Sequence, residues 1–384
     1  MELKRTNKTA VSAKDYTHVK KAPFITITKR DATSLKRNIL VRVIAIIAAL
    51  AVSSVITLLI TGENPIRLFS TVIDGAFGQF RIWGTAQSVA MLLGIALALT
   101  PAFKMKFWNT GGEGQVLIGA LASALVMMTV SSLPHWLTCI LVVLAGVCAG
   151  AIWGIIPAVF KAYWKTNETL FTLMMNYVAI QLIKFFLKVA DKSGSSTVGP
   201  SLLQYGRLPV LFDQQYMLNI IVVAVMTAMM YIYLRTSKHG YEIAVVGESE
   251  NTAKYIGINV KKVIIRTMAL SGALCGLIGV LLVGATSYSI DPNLAAGNGF
   301  TAIMVSWLAK FNPIIMIFTT LLIVVLSRGA ENVSMTLGLN KSFSDILTGI
   351  ILFFIIGCEF FINYKIHFNI AKKESKEVEL NGNN

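Results

Sequence analysis

The chain has 384 residues, of which 14% are charged against roughly 25% in an ordinary soluble domain, and 55% are hydrophobic. That balance excludes a soluble enzyme and describes a polytopic membrane protein, with little chain to spare for a water-soluble domain. A net charge of +15 would suit a nucleic-acid binder, but the charges are set out between apolar runs rather than gathered into a patch, so no nucleic-acid partner is expected.

Residues 1–37 are polar and basic and read as a cytoplasmic tail, too long and hydrophilic to begin a cleavable signal. Apolar runs follow at 38–60, 84–103, 115–131, 135–160, 169–190, 217–234, 263–287, 298–310, 314–327 and 342–362. Judged against the roughly 20 residues that a crossing helix needs, they give about ten transmembrane helices. The run 298–310 is short, and reads as a short or broken crossing between Gly297-Asn298-Gly299 and Asn312-Pro313. With the N-terminus inside, the cytoplasmic segments collect most of the 34 Lys and Arg residues, including the C-terminal tail 364–384. The expected fold is therefore an all-α integral membrane protein, N-in and C-in, with its transmembrane domain at 38–363.

Between the first two runs, 61–81 reads as an amphipathic segment on the membrane surface, with Leu68, Val72, Ile73 and Phe77 on one face. The largest outer loop, 191–216, is rich in Ser and Gly; it is either a landing place for an extracellular protein or a connector. The four cysteines (Cys139, Cys148, Cys275, Cys358) all fall in apolar runs without metal-ligand spacing and read as free buried thiols. The four histidines are scattered, so no metal site is expected, and the absence of GxxxxGK[ST] argues against ATP binding through a P-loop.

Two stretches carry polar chemistry at membrane depth. The segment Trp108-Asn109-Thr110-Gly111-Gly112-Glu113-Gly114-Gln115 interrupts two apolar runs. Non-helical backbone at such depth is tolerated only when it is buried in protein or faces a water-filled cavity. Glu113 needs a partner there: it lines a path or gate, or it caps the helix that follows, where the dipole favours a carboxylate. Thr172 and Asn176, one helical turn apart, either meet a polar solute or join helices. Glycines at 146, 150 and 154, and at 272, 276 and 279, read as close helix contacts. The interrupted segments 109–114 and 297–299, one in each half, suggest an internal repeat but share too little sequence to establish one.

The polar segment 235–262 cannot enter hydrocarbon. Within it Ser249 is an N-cap candidate, Glu250 suits a first turn and Gly257 a left-handed stop. The spacing predicts a short helix at 250–256, bracketed by Gly247 and Gly257, which is either a handle for a partner or a solvated loop.

GYEIAVVGESENTAKYIGINVKK, followed by SGALCGLIG, closely resembles the signature loop of permease subunits of ABC importers for simple sugars and nucleosides. FWNTGGEGQVLIGALASA resembles the same family, with Gly112 as an additional small residue. Asn167-Glu168 before Thr172–Ala179 resembles its nucleoside branch. The resemblance implies a permease that hydrolyses no ATP itself and holds no cofactor, ATP and Mg being bound by a separate ATPase subunit. Its other implied partners are a second related permease subunit, an extracellular substrate-binding (lipo)protein and the lipid bilayer of the cell membrane. Coupling to the ATPase would fall on Gly240, Gly247, Glu248, Glu250, Ala253, Tyr255 and Gly257. Candidate residues of the translocation path are Asn109, Glu113, Gln115, Thr172 and Asn176. Ala244 stands where many relatives carry arginine, which puts any salt bridge made there in question.

The expected function is translocation of nucleosides such as guanosine or adenosine by alternating access. Ribose or another simple sugar is the alternative within the family. An ion-coupled transporter would want carboxylates inside the spans, and apart from Glu113 these are almost absent. A membrane scaffold would need only the ordered loop.

Overall fold

In a computed structural model of the protein, residues 25–30, 34–62, 65–78, 81–130, 132–190, 197–199 and 203–368 are described. Thirteen helices run α1 (Leu35–Thr61), α2 (Pro65–Phe77), α3 (Ile82–Lys104), α4 (Gly112–Thr129), α5 (His135–Trp164), α6 (Glu168–Ala190), α7 (Met217–Thr236), α8 (Lys238–Glu248), α9 (Glu250–Tyr255), α10 (Val260–Leu281), α11 (Asn298–Leu308), α12 (Pro313–Thr336) and α13 (Lys341–Asn363). The last residues of α10 widen into a π-turn, Leu282–Ser287. Among the described residues, nine helices are long and apolar enough to cross a membrane.

Nine crossings would leave the two ends of the chain on opposite sides. They are on the same side: β1 (Ile25–Lys29) pairs antiparallel with β2 (Tyr364–Phe368), Ile27 opposite Ile366. Alongside, Arg42 near the start of α1 holds Glu359 near the end of α13 at 2.6 Å. A tenth crossing at 288–312 would restore that parity. Its helix, α11, has 11 residues and covers only about 16 Å at 1.5 Å per residue, half of a bilayer core. Irregular backbone covers the rest, and turns into α11 at Ala296 and Gly297, both at positive φ. The short crossing expected at 298–310 is thus a half-helix packed along α3, where Ser306 Oγ donates to the Ala96 carbonyl and the Phe311 ring stacks on Phe103.

α3 lies deepest, with 16 residues buried from Thr85 to Phe103. α5 packs by its glycine edge. A Cβ on Gly150 would meet the Gly272 carbonyl and Gly276, and one on Gly276 would meet the Gly146 carbonyl. Gly279 packs in the same way on Val116 and Ala120, so α4, α5 and α10 touch backbone to backbone.

Several elements differ from the hydropathy reading. The segments read as tails contribute the strands β1 and β2. α12 continues nine residues past 327 because its polar residues are partnered: Arg328 Nε donates to Ser88 Oγ at 3.2 Å, and Asn332 bonds both Arg81 and the Thr71 carbonyl. In α2 the proposed face divides. Val72 is buried with Gly75 and Ala76 against α12, while Ile73 and Phe77 are exposed; the Leu68 side chain lies outside the described residues. Cys275 and Cys358 are buried as expected, but Cys148 points outward from α5.

Candidate functional site

The backbone leaves α3 at Lys104, turns at Lys106 (φ 61°) and re-enters the bundle as far as Gly111. α4 starts there, with Gly112 against Leu99 of α3 rather than at the helix end. Its first N–H groups have no helical acceptor, and must find partners in a place without water.

Side chains supply them. Asn109 is wholly buried, and its Oδ1 accepts from Gly111 N at 3.0 Å. Its Nδ2 lies 3.4 Å from both Ser271 Oγ of α10 and Gln115 Oε1 of α4. From α6, Asn176 Oδ1 accepts from Gly114 N at 2.8 Å, while its Nδ2 donates to the Thr110 carbonyl at 2.8 Å. Thr172 Oγ1 accepts from Thr110 N at 3.2 Å. Four of the five residues singled out from sequence therefore hold the broken segment in shape. Their polar atoms are directed at its backbone and at one another.

Glu113 is the fifth, and it reaches elsewhere. Its Oε1 accepts from Gly297 N at 2.8 Å and its Oε2 from Gly299 N at 3.0 Å, at the N-terminus of α11. It sits in the first turn of α4, as the capping alternative requires, but the helix whose N–H groups it binds is α11. The two interrupted segments, 184 residues apart in sequence, meet at this carboxylate. A carboxylate gains from the dipole of both termini, and its bonds to N–H groups are charge-assisted.

On the other side of Gly297 and Asn298 is a cavity of about 530 Å³ between α3, the π-turn, α11, α12 and α13. Its lining includes Gln87, Ser88, Thr286, Asn298, Arg328 and Glu331. Asn298 belongs to the interrupted segment 297–299, and Arg328 and Glu331 stand just past the apolar run 314–327, whereas Gln87, Ser88 and Thr286 carry no such mark in the sequence. The signal available was weak: single amides in apolar runs, and an Arg and a Glu taken as the end of a span.

At the opposite end of the bundle lies the polar segment. α9 forms where the spacing predicts. Ser249 Oγ accepts from Thr252 N at 3.2 Å, and Gly257 (φ 85°) stops the helix with Ile258 N on the Ala253 carbonyl at 2.9 Å. α8 was not foreseen, since its only cap signal is Ser237, which accepts from Gly240 N at 2.9 Å. α8 seats α9 on the bundle. A Cβ on Gly247 would meet the Lys104 carbonyl, one on Gly240 would meet the carbonyls of Tyr233 and Leu234, and Ile243, Val246 and Ala253 pack with Met105 and Met268. Glu242, two residues before Ala244, pairs with Arg266 of α10 at 2.6 Å and ties α8 to the bundle. Glu248 and Glu250 are exposed, and Tyr255 is 93% exposed at the tip.

A bundle of membrane helices, the N-terminus of α4 joined within it to that of the half-helix α11, and a small helical platform locked to its end define a transport permease. The chain belongs to the family described as branched-chain amino acid transport system permease component, whose profile matches residues 81–356. It is 29% identical over 346 residues to the guanosine ABC transporter permease protein NupP of Bacillus subtilis, covering 88% of this chain and 97% of that protein. It is 27% identical over 359 residues to the nucleoside ABC transporter permease protein NupB of Lactococcus lactis subsp. cremoris, covering 90% and 98%. The glucose ABC transporter permease protein TsgB13 of Haloferax volcanii is 28% identical over 340 residues, covering 84% and 88%. No solved structure matches the chain. It is a multi-pass protein of the cell membrane.

Proposed function

We propose that the chain is the membrane-spanning subunit of an ATP-driven importer of nucleosides. Its partners are a separate ATP-hydrolysing subunit at α8 and α9, a second permease of the same fold, and an extracellular binding protein that delivers the solute. The observation that carries the substrate class is likeness over nearly the full length of permeases named for guanosine and nucleosides. The geometry supports the mechanism. α8 is wedged against the end of α3, and α10 carries both the Arg266 pair to α8 and the Ser271 contact to Asn109. A push on α9 is thereby transmitted through α3 and α10 to the joined termini of α4 and α11. Asn109, Glu113, Gln115, Thr172 and Asn176 act as the frame of the path, holding its broken helices in one of two arrangements.

A simple sugar is the second reading, favoured by the likeness to a glucose permease. Coupling to an ion is disfavoured because both oxygens of Glu113 are engaged by peptide N–H groups. The test is uptake of labelled guanosine, adenosine and ribose by cells with and without the gene, at matched energy status. Loss of nucleoside uptake alone supports the proposal; loss of ribose uptake alone transfers the chain to the sugar branch. Transport that survives bulky substitutions at Gly247 and Gly257 would point to coupling by ions.

A further inference from the structure

We propose that the cavity between α3, the π-turn, α11, α12 and α13 is a transient seat for the nucleoside, and that Gln87 reads the edge of the base. This rests on the nucleoside reading above. The cavity lies at the end of the bundle away from α8, near the start of α3, where a solute arriving from outside would enter. Its volume, about 530 Å³, falls in the roughly 300–1,000 Å³ range of small-molecule sites.

The Gln87 amide is oriented by its neighbours. Its Oε1 accepts from Asn219 Nδ2 at 3.0 Å and its Nε2 donates to Thr286 Oγ1 at 2.8 Å. Asn219, wholly buried behind it, also donates to Thr286 Oγ1 at 2.6 Å, while Gln215 donates to the Thr286 carbonyl at 2.7 Å and fixes the π-turn. Each bond uses one valence. Gln87 keeps one N–H and one lone pair of Oε1, and Asn219 Oδ1 has no partner among the described residues. A side-chain amide offering a donor beside an acceptor matches the edge of a nucleobase, the pairing that Gln and Asn make with adenine. Thioether and aliphatic side chains of Met91, Leu92 and Leu282 line the same cavity and suit the flat face of a base.

The remaining wall suits an uncharged ribose. Arg328 is tied to Ser88 and, at 3.2 Å, to Glu331, whose carboxylate can accept from vicinal hydroxyls. Lys341 and Asp345 complete two cations and two anions, so the lining has no surplus of positive charge for a phosphate. Nucleosides fit and nucleotides do not. A solute bonded at Gln87 also lies beside Gly297 and Asn298, the turn that Glu113 grips, so occupancy of the seat and the lock between α4 and α11 share one piece of backbone.

The experiment uses cells that carry the complete transporter with this chain as wild type, Gln87→Leu or Thr286→Val. It measures uptake of guanosine, adenosine and cytidine together with membrane abundance and association with the ATPase subunit. The seat predicts more than a tenfold loss of uptake for the best nucleoside in Gln87→Leu and a changed order among the three, with abundance and association unchanged. An unchanged order, whether uptake is intact or falls equally for all three, overturns it. If Gln87→Leu does not reach the membrane, Gln87→Asn, which keeps the amide one methylene shorter, is read by the same order. Wild-type cells that import ribose but no nucleoside would overturn the functional reading itself, a result distinct from an unchanged order in a transporting wild type.

Discussion

Glu113 and Gly297 are 184 residues apart in sequence and joined by a 2.8 Å hydrogen bond at the point where α4 and the half-helix α11 begin. The second carboxylate oxygen takes Gly299 N, so one side chain satisfies two orphan donors of α11 while standing in the first turn of α4. Glu113→Gln keeps one acceptor and loses the charge. Charge-assisted bonds contribute about 1.5–3 kcal/mol, so the variant is expected to lose stability on that order and to transport at least tenfold more slowly. Thermal unfolding of the purified protein and nucleoside uptake check the two effects separately.

Asn176 holds the same segment from α6 with an acceptor and a donor, and the two are separable. Asn176→Asp keeps an acceptor for Gly114 N and removes the donor to the Thr110 carbonyl, whereas Asn176→Ala removes both. Interhelical bonds of this kind contribute roughly 0.6–2 kcal/mol in membranes. Melting temperatures are expected to fall in the order wild type, Asn176→Asp, Asn176→Ala. An Asp variant below the Ala variant would show that the buried charge outweighs the retained bond.

The glycines separate into two groups that a sequence treats alike. Gly276→Ala places a methyl group on the Gly146 carbonyl, and overpacking of that kind costs about 1–3 kcal/mol. Gly357→Ala, in α13, meets no atom within 4 Å, and is expected to stabilise by roughly 0.5–1 kcal/mol through helix propensity. Melting curves of the pair in one detergent should move in opposite directions.

The helical class and the position of α9 were legible because each rests on local signals: apolar run length, a Ser cap and a left-handed Gly. The polar residues of the broken segment were legible as anomalies, but not in their partners. Nothing near Glu113 in sequence specifies that its acceptors serve Gly297 and Gly299, and nothing near Asn176 specifies Gly114. Such contacts depend on how α4, α6 and α11 pack, which hydropathy does not encode. Gln87 and Asn219 were invisible for the opposite reason, since a single amide in an apolar run reads as ordinary helix glue. Arg328 directly follows the apolar run 314–327 yet lies inside α12, because a charge ends a helix of the bundle only when it has no partner there, and Arg328 has Ser88 and Glu331.

Tyr255 is 93% exposed at the end of a platform packed onto the bundle, a position that adds nothing to the core of this chain and, under the proposed function, is open to the ATPase subunit. Tyr255→Ala removes an aromatic anchor and leaves Ala253, Gly257 and the Ser249 cap in place. Aromatic anchors at interfaces contribute about 2 kcal/mol or more when truncated, equivalent to roughly a thirtyfold weaker association with the ATPase subunit. Gly247→Val acts differently, because its side chain would meet the Lys104 carbonyl and lift α8 off α3. The first variant is expected to keep the melting temperature of the isolated permease and lose copurification with the ATPase; the second is expected to lose both. If Tyr255→Ala copurified normally and transported normally, the exposed tip of α9 would not be the contact, and the docking face would have to lie on the flank of α8 around Tyr241, which is also exposed.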